Sequence, residues 1–65
     1  MSEELNHIYN LATQLTQEMR GLWRIEKYYI NDSLSEEEKV FWRGMIDDKK
    51  NSIIELRDLL KKTLE

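Results

Sequence analysis

The chain has no cysteine and no proline, a single histidine and only two glycines in 65 residues. Without cysteine there are no disulfides and no thiolate metal sites, which fits a reducing compartment. One imidazole, His7, does not supply the usual His-containing zinc patterns. No apolar run approaches the roughly 20 residues that cross a bilayer. The start, Met1-Ser2-Glu3-Glu4, lacks the basic residues and apolar stretch of a signal peptide. A cytoplasmic location without membrane contact is therefore expected. Charge of one sign is missing too, since 10 basic and 13 acidic residues are interspersed for a net charge of −3. Nucleic-acid-binding modules carry a basic face, so no nucleic-acid partner is expected. There is also no Gly-rich phosphate loop, no Ser-His-Asp or Cys-His set, and no His with an orienting carboxylate. Neither enzymatic activity nor a resident cofactor is expected.

What is present favours helix. Leu, Glu, Lys and Ile dominate, and the one strong break is Asn31-Asp32-Ser33-Leu34-Ser35. In the first half Leu5, Ile8, Ala12, Leu15, Met19, Leu22, Glu26 and Tyr29 follow an unbroken 3,4 spacing. Seven of these eight are apolar or aromatic, the mark of an amphipathic helix, and Leu11 and Ile25 widen the stripe. Ser2 is placed to cap it, with Glu3 and Glu4 near the positive helix start. The second half opens with a capping box, Ser35-Glu36-Glu37-Glu38, and closes with Lys61 and Lys62 at the negative end. Trp42, Ile46, Lys49, Ile53, Leu56 and Leu60 repeat the 3,4 spacing, flanked by Phe41, Met45, Leu59 and Leu64. The spacing predicts one domain over 1–65: a helix near 3–30, a turn near 31–35 and a helix near 36–63.

A short loop between long helices makes them antiparallel neighbours, so the fold class is all-α, an antiparallel two-helix hairpin. Folding about the midpoint sets Gly21 near Gly44 and Trp23 near Trp42, where paired glycines would let the backbones approach. Each helix of about 28 residues is about 42 Å long. A chain this short buries only about 60% of its unfolded surface, and two rods cannot enclose so wide an apolar stripe. A homodimer or larger homo-oligomer, in which two hairpins form a four-helix bundle, is the expected remedy. Its self-association residues are Leu15, Met19, Leu22, Trp23, Trp42, Ile46, Ile53 and Leu56. A larger protein as partner, with the chain as its inhibitor or regulator, is a further expectation.

The polar run Asp47-Asp48-Lys49-Lys50-Asn51-Ser52 interrupts the seam of the second helix. One reading is a solvated stretch in which the Lys49 stem packs and its ammonium reaches water. The other is a polar site between helices, where facing carboxylates hold a divalent cation. Hairpin folding sets Glu18 opposite Asp48. Glu18, Asp48 thirty positions later and Asn51 one helical step beyond resemble the encapsulated ferritin family. That family has a two-helix subunit with a Glu on helix 1 and Glu-x-x-His on helix 2. The resemblance spans about residues 15–60 and implies a ferritin-like assembly with Glu18, Asp48 and Asn51 as metal ligands. Asp and Asn stand where the family has Glu and His, so the motif it implies is degenerate.

Three further features complete the reading. Glu26 is the only charged residue in the helix 1 stripe and calls for a basic partner across an interface or for an edge position. Arg20, Arg24 and Lys27 line one side of helix 1, and Lys39 and Arg43 extend that patch from helix 2. One reading is a site for an acidic partner or phosphate. The other, which is expected here, is a solvated face with ion pairs such as Arg43 with Asp47. The aromatics Trp23, Tyr28, Tyr29, Phe41 and Trp42 gather towards the turn, a composition common at subunit interfaces.

Overall fold

A computed structural model describes residues 2–65. The first helical stretch has three pieces: α1, Glu3–Arg24; a π-helical turn, Ile25–Tyr29; and α2, Ile30–Asp32. Residues 33–35 lead into α3, Glu36–Leu64. Among the described residues there is no strand, and no helix is long and apolar enough to cross a membrane.

Short polar side chains set the helix ends. Ser2 Oγ accepts the Leu5 N–H at 3.2 Å, and Ser35 Oγ accepts the Glu38 N–H at 3.2 Å. Glu38 reaches back in turn, and its Oε2 accepts the Leu34 N–H at 3.2 Å. The two serine bonds satisfy amides that the first helical turn leaves without a partner, and the Glu38 bond ties down the residue before the cap. The first stretch runs two residues past the expected end. Asn31 Nδ2 donates to the Lys27 carbonyl at 3.2 Å, and Ser33 Oγ donates to the Tyr29 carbonyl at 2.7 Å. Residues read from sequence as the turn thus tie off the helix instead.

The two long helices meet as a hairpin. Glu18 bonds to Lys49, and Tyr29 stacks on Trp42 with ring centroids 4.9 Å apart. Along the seam Leu11, Leu15 and Leu22 of α1, with Trp42, Met45, Ile46, Ile53, Leu56 and Leu60 of α3, are half-buried. Ile25, 2% exposed, is the one fully buried residue among those described.

That detail corrects the stripe. The 3,4 spacing puts Glu26 in the seam and Ile25 on its flank, whereas Ile25 is buried and Glu26 is exposed. The line facing α3 is Leu11, Glu18 and Ile25, seven residues apart and one step round from the stripe's centre. The wider π-helical turn begins where this line reaches Ile25. The seam therefore uses one edge of the apolar stripe and leaves the other outside. Two pairings expected at the midpoint are also replaced. Trp23 packs edge-on against Tyr28 at 5.4 Å, while Trp42 meets Tyr29 and Phe41. Gly21 makes room for the Lys49 side chain rather than for Gly44, and a Cβ at Gly44 would have nothing within 4 Å.

The hairpin measures 47 × 18 × 13 Å, with a radius of gyration of 14.8 Å. A compact domain of this length has a radius near 11 Å. With helices about 10–12 Å in diameter, the shortest dimension is one helix thick.

Candidate functional site

On one side of the seam the polar run of α3 meets α1. Lys49 Nζ donates to Glu18 Oε2 at 3.0 Å, with the side chains 22% and 20% exposed. Gln14 Nε2 donates to Glu18 Oε1 at 3.1 Å, so both carboxylate oxygens are engaged. The Lys49 hydrogen bond is the main cause that holds the Glu18 carboxyl below its ordinary value. Partial burial opposes this, and Gln14 and the Lys49 charge assist. Lys49 reaches Glu18 across Gly21, where a Cβ would lie 2.9 Å from Lys49 Cε. Gln17, Arg20 and Arg24 border the same polar groove, about 400 Å³ in volume. Lys27 lies instead beside Trp23 and Glu26.

These positions bear on the candidate metal ligands. Glu18 faces Lys49 where hairpin folding of the sequence set it opposite Asp48, and Asp48 and Asn51 are exposed. The described residues contain no group of three or more His, Cys, Asp or Glu placed to hold a metal ion. A cation at Glu18 within one hairpin would have to displace an ammonium already in hydrogen-bond contact. His7 lies 3.8 Å from Glu3 at the surface, far along α1 from Glu18. The expected Arg43–Asp47 pair is not among the ion pairs of the described residues. On α3 those are Lys39–Glu36 at 3.3 Å and Arg57–Asp58 at 3.6 Å.

The other side of the seam is apolar. Met19, Leu22 and Trp23 of α1 with Ile53 and Ile54 of α3 line an open groove of about 410 Å³, and Glu26 and Lys50 stand at its margins. Met19 and Trp23 are 54% and 55% exposed, because α3 covers only the Leu11–Ile25 edge of the stripe. Of the expected self-association residues, Met19, Leu22, Trp23 and Ile53 line this groove. Leu15, Trp42, Ile46 and Leu56 are half-buried within the hairpin. Ile54 and the Gly21–Lys49 passage were not singled out from sequence. The seven-residue line of Leu11, Glu18 and Ile25 is the signal that locates the passage, since it sets a carboxylate against the seam lysine of helix 2.

The molecule is thus a two-helix hairpin with one polar, ion-paired side and one apolar, open side. No family model, curated protein or solved structure matches the chain.

Proposed function

We propose that this chain is a small non-catalytic helical module whose principal act is self-association. In this reading its two helices are antiparallel, and two hairpins close on each other as a four-helix bundle. The observation that supports it is the single-layer architecture. Globular domains bury their apolar faces between two or more layers, and this hairpin supplies one layer with a single fully buried residue among those described. Its accessible surface is 5224 Å². A compact monomer of its mass exposes about 4,400 Å². The excess, on the order of 800 Å², matches what one partner contributes to a standard interface.

Sedimentation or multi-angle scattering at micromolar concentration tests the reading, with a mass above the 7.9 kDa of one chain expected. A 7.9 kDa species alone across that range overturns it. Leu15→Asp or Leu56→Asp should dissociate and unfold the protein together. The cost is about 3 kcal/mol or more, because an unpaired charge enters an apolar seam.

A further inference from the structure

Resting on the self-association reading, we infer which face associates and in what orientation. The apolar groove is closed by a second copy of this chain, related by a two-fold axis parallel to the helices, so that each Glu26 meets the partner's Arg43.

The groove side is selected by its chemistry. Its walls are Met19, Leu22, Trp23, Ile53 and Ile54, whereas the opposite side is bordered by Gln14, Gln17, Arg20 and Arg24. Removing water from the first is favourable, and removing it from the second strands polar groups.

Charge then selects the orientation. Arg43, Lys50 and Arg57 stand seven residues apart on one edge of α3, and Lys50 marks that edge as the groove side. A two-fold perpendicular to the helices would lay α3 on α3 and set this basic row against its own copy. A two-fold parallel to the helices lays α1 of each chain on α3 of the other. The basic row then meets the α1 margin, whose one groove-lining charge is Glu26. Every neighbouring pair of helices in that arrangement is antiparallel, as in an up-down bundle.

The pairing partner follows from register. The contacts Glu18–Lys49 and Tyr29–Trp42 bracket the level of Glu26, which falls beside the turn 43–46 of α3. A two-fold along the helices preserves level, so Glu26 of one copy faces that turn of the other. Arg43 is its only cation. Neither Glu26 nor Arg43 has an ion-pair partner within the hairpin among the described residues. The pair forms twice, as an isologous interface requires.

The test is a charge-swap cycle in the full chain: Glu26→Arg, Arg43→Glu and the double variant, with dimer dissociation constants from sedimentation and folding from circular dichroism. Each single variant should weaken dimerisation about 10- to 100-fold by setting like charges together twice, and the double variant should recover to within about tenfold of the parent. A parent that is monomeric overturns self-association itself, and this docking with it. A dimeric parent whose single variants bind equally well, or whose double variant is no tighter than the singles, overturns the docking and leaves self-association standing. If the single variants do not fold, the double variant decides. Parent-like dimerisation supports the pairing, and a monomer overturns it.

Discussion

The two glycines offer a sharp test, because the same substitution should act differently at each. Both sit inside helices, where Gly is less favourable than Ala by about 1 kcal/mol. At Gly44 a new Cβ meets nothing within 4 Å, so Gly44→Ala should show the full gain. For a domain of this size that is about 4–8 °C in Tm. At Gly21 the new Cβ would lie 2.9 Å from Lys49 Cε and 3.1 Å from Nζ. The obstacle is the end of a flexible side chain, so the backbone need not move. What must move is the ammonium that Glu18 holds at 3.0 Å. Losing this partly exposed ion pair costs about 1 kcal/mol once solvent screening is allowed for. The two effects nearly cancel, and Gly21→Ala should leave stability close to the parent's.

Urea unfolding followed by circular dichroism, at one fixed protein concentration so that mass action is constant, measures both variants. The control is Lys49→Ala. With the lysine gone, Gly21→Ala should recover its gain of about 1 kcal/mol. If Gly21→Ala stabilises as much as Gly44→Ala while Lys49 is present, Lys49 does not pass over Gly21 as described. A deficit that persists without Lys49 would place the conflict elsewhere.

Two further outcomes follow from the caps and the ion pair. Ser35→Ala should lower stability by about 1 kcal/mol through loss of the Glu38 amide bond. Ser33→Ala, which removes a hydroxyl donor to the Tyr29 carbonyl, should cost less, and thermal melts that reverse this order would move the start of α3. Glu18 contributes stability as a carboxylate, in full above its ordinary value of 4.5, and loses it as pH falls through its lower folded value. The stability difference between the parent and Glu18→Gln should therefore be present at neutral pH and vanish in acid. A difference unchanged at pH 3 would show that Glu18 does not act through its charge.

The parts legible in the sequence are those fixed by neighbours in the chain. Ser2 and Ser35 mark helix starts because a cap needs only a hydroxyl and an amide three residues on. The break at 31–35 is legible for the same reason, although Asn31 and Ser33 close the first helix rather than ending it early. The direction in which the stripe faces is not local. A stripe broad enough to include Ile25, Leu22, Met19 and Glu26 has two edges, and periodicity does not distinguish the edge that meets α3 from the one left outside. Only the interhelical contacts of Glu18 and Tyr29 do so, and they place Ile25 inside and Glu26 outside. Lys49 already stands in the 3,4 spacing of α3, and it is this residue rather than its neighbour Asp48 that meets Glu18.

The way the seam is filled bears on why a second layer is proposed. Interhelical positions at mid-hairpin go to Glu18, Gly21 and Lys49, none of which contributes much hydrophobic burial, while Met19, Trp23 and Ile54 stay largely in water. Fully burying a large apolar side chain contributes about 1.5–3 kcal/mol, and a partly exposed ion pair about 1 kcal/mol at most. A hairpin selected only to fold alone would place these two sets the other way round. The observed assignment becomes favourable if the outward apolar edge is covered by a partner. The Glu18–Lys49 pair then has a different use, fixing the level at which the helices meet, since any slip of α3 separates the charges. Register held by a polar pair and the proposed burial by a partner are separable properties. Lys49→Ala should loosen the first while leaving the groove residues, and thus the second, in place.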